Sequence, residues 1–168
     1  MIRALIIAVS VWVLDQVTKF IIVSNFAYRD VVEVLPFFNW VRYHNPGAAF
    51  SFLADAGPWK HWFFVCLGAA FSAYLIYELK RLKPEEELLK YPFGLILGGA
   101  IGNVTDRLVH GHVIDFIEVH YAGWYFPAFN VADSALFCGA ALWILLMIKD
   151  YRRAKAIDKT KANDQAAS

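Results

Sequence analysis

The sequence predicts an all-α membrane protein of four transmembrane helices, with a small β-sheet outside the membrane. Three observations lead to this fold class. First, 59% of the 168 residues are hydrophobic, which exceeds the roughly 45–50% of an ordinary globular domain. Second, the mean hydropathy is +0.44, and the apolar residues are gathered into long runs. Third, lysine and arginine are concentrated in particular segments between and after these runs.

Each apolar run is long enough to cross a membrane as a helix, because about 20 helical residues span about 30 Å of hydrocarbon. The third run is unusual, since its purely apolar part stops at Ile101 and polar residues follow within the same predicted helix. Together with their loops, the runs form a single membrane domain over residues 1–150. The predicted spans cover about residues 2–23, 59–79, 91–109 and 127–148.

The distribution of lysine and arginine predicts how the helices are oriented. Four such residues lie in 78–90 and six lie from Lys149 onward, whereas the opposite side has only Arg29, Arg42 and Lys60, with none in 110–126. Because cytoplasmic segments carry the excess of positive charge, we expect both termini in the cytoplasm and the loops 24–58 and 110–126 on the outer side. The charged, alanine-rich tail 151–168 is predicted to be a disordered cytoplasmic segment.

Two acidic residues lie where a membrane protein has to offset their cost. Asp115 follows the third span, and Asp133 lies in a run of 23 residues that is otherwise free of charge. An acid at such a depth is by default interpreted as functional. Two carboxyl groups brought together in a poorly solvated site would share one proton. The predicted orientation brings further polar residues to the same outer boundary, namely Asn103, Asp106, Arg107 and Asn130.

The first outer loop carries a strand pattern. Residues 31–52 are rich in β-branched and aromatic side chains, and the stretch 38–44 alternates as a strand would. Pro36 and the sequence at 45–47 supply turns. We therefore expect a small sheet resting on the membrane surface.

Structural roles compete with functional ones for several of these residues. Asp15 and Lys19 are four residues apart in the first span, so a local ion pair would lower the cost of both. A structural ion pair with another helix is the competing interpretation for Asp106. Arg107 could bind a ligand or a backbone carbonyl, or serve the structure. The spacing of Gly98 and Gly102 is a helix-packing pattern.

The two boundary acids have alternatives of their own. Asp115 could cap a helix, and Asp133 could pair with Arg107. Their convergence with two asparagines and an arginine at one depth favours catalysis. Paired acids within spans also occur in proton-coupled transporters, and a non-enzymatic scaffold is another class. The clustering at one boundary, without an inverted repeat, argues against transport.

Other chemistries have weaker support in the sequence. Three outer-loop histidines, His110, His112 and His120, raise the question of a metal site. No second ligand cluster accompanies them apart from the aspartates, so no metal or cofactor is predicted. No serine has a lysine or histidine at a helical spacing that would indicate a nucleophile.

Five short blocks in a fixed order make the sequence specific. They are Asp15-Gln16-x-Thr18-Lys19, Asn45-Pro46-Gly47-Ala48-Ala49-Phe50, Gly102-Asn103-x-x-Asp106-Arg107, Val113-Ile114-Asp115-Phe116 and Phe129-Asn130-x-Ala132-Asp133-Ser134. In these blocks the chain resembles the bacterial prolipoprotein signal peptidase family, also called type II signal peptidases. The resemblance covers residues from about 5 to 150.

The resemblance implies an activity and its site. The family consists of aspartic endopeptidases that cut the signal peptide from a lipoprotein precursor, just before a cysteine already modified with diacylglycerol. Its catalytic pair corresponds to Asp115 and Asp133. Its substrate-binding and inhibitor-binding positions correspond to Asn45, Gly47, Asn103, Arg107 and Asn130.

The resemblance also implies a location and partners. We expect a multi-pass protein of the bacterial inner membrane, with cytoplasmic termini and an active site near the periplasmic face. The family's surface sheet, or cradle, and its outer surface helix or loop correspond to about residues 30–60. The expected partners are diacylglyceryl-prolipoproteins and membrane lipids, with globomycin as an inhibitor. No nucleic acid, cofactor or oligomer is expected.

Overall fold

A computed structural model describes residues 1–47, 57 and 59–166 of the chain. Within these residues the chain forms four α-helices, a short 3-10 helix and four β-strands. The elements are α1 (Ile2–Asn25), β1 (Val31–Leu35), β2 (Phe38–Asn45), α2 (Trp59–Arg81), the 3-10 helix (Pro84–Leu89), α3 (Lys90–His110), β3 (Val113–Tyr121), β4 (Trp124–Tyr125) and α4 (Val131–Ala166).

Three of the described helices are long and apolar enough to cross a membrane. They are α1, α2 and the first part of α4, Val131–Ala156. The third predicted span is helical, as expected, but α3 is not one of the three. Its window contains several glycines and, near its end, Asp106 and Arg107, which lower its hydropathy. The predicted four helices are therefore confirmed, but only three of them have the composition of a membrane span.

Helix α3 lies at the centre of the bundle and packs against α1, α2 and α4. Its glycines make this possible. A Cβ atom on Gly98 would lie 2.6 Å from the carbonyl oxygen of Ala8 in α1, and one on Gly99 would clash with the carbonyl oxygen of Ala132 in α4. The backbones are therefore in direct contact, as the glycine spacing predicted. Large apolar side chains on the outer faces of α1, α2 and α4 remain exposed.

The sheet lies at the end of the bundle where α1 and α3 end. Its four strands are antiparallel in the order β1-β2-β3-β4. Strand β2 includes the predicted segment 38–44, so the small sheet is confirmed. A register shift between Trp40 and Tyr43 places Tyr43 opposite Asp115. Arg42 joins the sheet to α1, because its guanidinium donates to the carbonyl of Phe26 at 2.7 Å.

Two boundaries differ from the prediction. Helix α4 begins at Val131 instead of residue 127, because Asn130 serves as its N-cap. It also continues to Ala166, which differs from the disorder predicted for 151–168. The tail holds alanine, lysine and arginine and lacks glycine and proline, a composition that favours helix. The predicted outer surface helix or loop falls largely on residues 48–56 and 58, which lie outside the described residues.

Candidate active site

The two predicted catalytic acids approach each other from different elements. Asp115 is the third residue of β3 and is 3% exposed, and Asp133 is a half-buried residue in the first turn of α4. The end of α3 lies beside them and supplies Asn103. The site is therefore built where a strand and two helix ends meet.

Asn130 contacts both acids. Its side-chain amide donates to Asp115 Oδ1 at 2.7 Å, and its side-chain oxygen accepts the backbone N–H of Asp133 at 2.9 Å. In return, Asp133 Oδ2 accepts the backbone N–H of Asn130 at 3.3 Å. This reciprocal pair is a capping box at the start of α4. The same contacts that begin the helix thus bring the two carboxyl groups to one place.

Asn103 fixes the second acid from the other side. Its amide nitrogen donates to Asp133 Oδ1 at 2.7 Å. Its amide oxygen accepts from Lys19 Nζ and from Asn130 Nδ2, each at 3.3 Å. Because an ammonium group can only donate, the oxygen must face Lys19 and the nitrogen must face the carboxylate.

Asn45 reaches the first acid from the end of β2. Its side-chain amide donates to Asp115 Oδ2 at 3.1 Å, while its oxygen accepts the backbone N–H of Gly47 at 2.9 Å. Gly47 has a φ of +102°, which glycine adopts without strain. The pair thus forms a turn that holds Asn45 against the site, and Gly47 itself packs under Phe64.

Arg107 lies beside the acids without an ion pair to either one among the described residues. Its guanidinium donates to the backbone carbonyl of Asn103 at 3.3 Å and stacks over the ring of Phe64 at 5.2 Å. Its buried Nε has no hydrogen-bond partner in the described part of the chain. The alternative pairing of Asp133 with Arg107 is therefore not seen there, and the side chain lines a groove of about 320 Å³ between α2, α3 and α4.

A second groove runs along the other side of Asp133. It has a volume of about 430 Å³ and an almost wholly apolar lining. The first groove is thus lined by Asn103 and Arg107 beside the acids, and the second by Asp133 itself. The second groove is lined by Phe126, Phe129, Asp133, Ser134, Phe137 and Cys138.

The remaining predicted polar residues form a buried ion triad behind the site. Lys19 Nζ lies 2.8 Å from Asp15 Oδ2, as the spacing in α1 predicted, and 2.9 Å from Asp106 Oδ2 on α3. The ion pair predicted between Asp106 and another helix is thus present. Gln16 adds a link that sequence reasoning missed, since its amide donates to Asp15 at 3.1 Å and to Asp106 at 3.0 Å. Its place beside Asp15 in the first block was the available signal.

Of the three histidines considered for a metal site, His110 and His112 lie just before β3, at the end of the sheet that carries Asp115, and His120 lies near the other end of that strand. His44 stacks on His112 at 3.8 Å, and His110 lies 6.1 Å from His112. Across the described residues, no group of three or more histidine, cysteine or acidic side chains is arranged to hold a metal. Burial lowers the pKa of His44 and of His112, which favours their neutral forms.

The environment of Asp115 favours its protonated form. Burial, and after it the neighbouring Asp133, raise its pKa to about 7, against the opposing effect of the hydrogen bonds from Asn45 and Asn130. A carboxyl group that keeps a proton near neutral pH beside a second carboxyl group is the arrangement that aspartic peptidases use.

Comparison with known proteins identifies the family. The family model described as "Signal peptidase (SPase) II" matches residues 7–149. The chain belongs to the signal peptidase II family. It is accordingly an enzyme of the aspartic peptidase class.

Lipoprotein signal peptidases of other bacteria are similar to this protein over most of the chain. A lipoprotein signal peptidase of Polynucleobacter necessarius is 50% identical over 144 residues, which are 86% of this chain and 88% of the relative. One of Alteromonas mediterranea is 45% identical over 148 residues, covering 88% and 81%. A solved structure titled as a bacterial membrane enzyme has a TM-score of 0.77 and 36% identity, and covers 88% of this chain and 93% of that one.

Proposed function

We propose that the protein is a membrane aspartic endopeptidase that removes the signal peptide from diacylglyceryl-modified prolipoproteins, cutting just before the lipidated cysteine. One observation carries the proposal: the acids of β3 and α4 are held by asparagine amides in one largely buried site. The relatives' name, lipoprotein signal peptidase, supports the substrate class.

The proposed chemistry is the attack of water on a peptide carbonyl by a pair of acids. Asp115 and Asp133 share one proton, because two carboxyl groups this close do not both ionise easily. The ionised partner takes a proton from a water between them, and the protonated partner donates to the carbonyl oxygen. As the amine leaves, the roles exchange. The proton belongs to the pair and not to one residue.

The neighbouring polar residues would orient the acids and the substrate. The amides of Asn103 and Asn130 each donate to one carboxylate at 2.7 Å, which supports a role in holding the dyad. Arg107, whose buried Nε lies beside a groove, and Asn45, held by its contact with Gly47, would bind backbone carbonyls of the substrate.

The proposed membrane arrangement has four spans, with both termini cytoplasmic and the site near the periplasmic face of the bacterial inner membrane. The fourth span would be α3. Its packing against three apolar helices supports the same depth, since α3 is shielded from lipid and does not need their hydropathy. The lipid part of the substrate would then stay in the outer leaflet, with its scissile bond near the acids. We expect a monomer that globomycin inhibits.

Analysis of the cleavage product tests the function directly. Purified protein should convert a synthetic precursor peptide with a diacylglyceryl cysteine into a product that begins at that cysteine. The same peptide without the lipid should be cut far more slowly, because binding energy from remote parts of a substrate lowers the barrier. Mass spectrometry of both products checks this, and a product that begins elsewhere would contradict the proposal.

The raised pKa of Asp115 predicts the pH dependence of cleavage. Below a pH of about 7 the pair keeps its shared proton, and above this pH that proton is lost. We therefore expect kcat/KM to fall by about tenfold per pH unit on the alkaline side. A series of initial rates from acidic to alkaline buffers measures this limb, and a flat profile across the series would exclude a shared proton.

A further inference from the structure

We infer that Lys19 is a positioning residue for both acids, acting through Asp15 and Asp106 on the backbone segments that carry them. The inference rests on the proposed function, since it takes Asp115 and Asp133 as the catalytic pair.

Lys19 is at the centre of a fully buried set of charges. It is 2% exposed, and Asp15 and Asp106 are 0% and 1% exposed. Its ammonium group lies within 2.9 Å of a carboxylate oxygen from each acid. One acid is on α1 and the other is on α3, so the lysine joins two helices at the level of the site.

Each acid of the triad holds the residue directly before a catalytic aspartate. Asp15 Oδ1 accepts the backbone N–H of Ala132 at 2.9 Å, and Asp133 follows. Asp106 Oδ2 accepts the backbone N–H of Ile114 at 3.0 Å, and Asp115 follows. Hydrogen bonds to charged acceptors are stronger than those between neutral groups. The lysine thus couples the start of α4 to the start of β3.

A third contact acts on the site itself. Lys19 Nζ donates to Asn103 Oδ1 at 3.3 Å, and this contact turns the amide nitrogen of Asn103 toward Asp133. Asn130 Nδ2 donates to the same oxygen at 3.3 Å, so loss of the ammonium group removes one of two donors that hold this orientation. An amide that rotated would present its oxygen to the carboxylate, which would be repulsive. Lys19 therefore controls both the spacing of the acids and the hydrogen bond that one of them receives.

Stability alone does not account for this arrangement. Well-packed apolar residues often replace a buried ion set without loss of stability. The two acids also keep a link through the Gln16 amide, which could join the helices without a charge. What the lysine adds is a fixed distance between the two peptide groups next to the catalytic acids.

Two variants test the inference with the full-length protein. Lys19→Met removes the cation and leaves two buried anions. Lys19→Met/Asp106→Asn removes the cation and one anion, so the charge behind the site stays as in the wild type. The control is Lys80→Met at an exposed position of α2. For each, kcat, KM and the pH profile are measured on the diacylglyceryl precursor peptide and normalised to the folded fraction.

We expect both variants to lose about 100-fold in kcat, the size of effect that small misplacements of reacting groups produce, with little change in KM. In Lys19→Met the acidic and alkaline limbs of the pH–rate profile should also move to higher pH, because the loss of a nearby cation favours the protonated form of the acids. In the double variant the limbs should stay near those of the wild type, and Lys80→Met should behave as the wild type.

Several results would overturn the inference. If either variant had the wild-type kcat per folded molecule and the wild-type pH profile, the lysine would have no positioning role. If neither variant folded, the role of Lys19 would be purely structural. The dyad itself is tested separately: normal cleavage by Asp115→Asn removes the proposed function, whereas an inactive Asp115→Asn beside a fully active Lys19→Met removes the inference alone.

Discussion

Replacing Asp115 or Asp133 with asparagine is expected to lower cleavage of a lipidated precursor by about 10²–10⁴-fold, the contribution of general acid–base catalysis. Asparagine keeps nearly the shape of aspartate but neither takes nor gives a proton. Each substitution also replaces a carboxylate that accepts a hydrogen bond with an amide: Asp133 accepts from Asn103, and Asp115 accepts from Asn130. The rate of appearance of the cysteine N-terminus, measured in detergent or in vesicles, gives the loss.

Glu118→Gln is the matched control for both variants. Glu118 is also a buried acid of β3, but it accepts from Asn39 at 2.9 Å, away from the dyad. The Glu118→Gln variant should retain cleavage, because glutamine can accept the same hydrogen bond.

Activity of the wild-type protein should also persist in EDTA. Near-normal turnover by either aspartate variant, or a loss in EDTA that zinc restores, would contradict an acid pair that works without a metal.

Replacing Gly98 with leucine is expected to destabilise the helical bundle by at least about 1–3 kcal/mol, the usual cost of overpacking. The new side chain would meet the backbone of Ala8 and the side chain of Val11 on α1, with Cβ contacts of 2.6 and 2.7 Å. Backbone cannot move aside as the tip of a side chain can, so α1 and α3 must separate. Unfolding in detergent, followed by circular dichroism, measures the loss.

Ala70→Leu provides the comparison, because it adds bulk at an exposed position of α2. It should change the unfolding midpoint little. If Gly98→Leu unfolded at the midpoint of Ala70→Leu, the close contact between α1 and α3 would not be needed for stability.

The apolar runs made α1, α2 and α4 predictable from the sequence, since long stretches with few charged residues are typical of membrane spans. The composition of α3 was less informative. Its glycines and polar end reflect contacts with other helices, and these contacts are not visible in a hydropathy pattern. Strand β3 was also hard to foresee, because its first four residues are all buried and so lack the alternation of a half-exposed strand.

The sequence predicted the residues of the candidate site, but most of the contacts between them were not predicted. Spacing within α1 predicted the pair of Asp15 with Lys19. The contact of Lys19 with Asp106 joins residues far apart in the chain, and no local pattern records it. The hydrogen bonds to the backbone at Ile114 and Ala132 are set by tertiary packing and leave no trace in the side-chain sequence.

The capping box at the start of α4 limits how the enzyme can change under selection by drugs. Asn130 and Asp133 begin the helix through contacts with each other, so a substitution at either residue would weaken the fold as well as the chemistry. A mutation at this pair that weakened the binding of an inhibitor would therefore also lower both stability and catalysis. We expect escape to arise instead in the walls of the grooves, at residues such as Phe137, where a change of shape leaves the helix start intact.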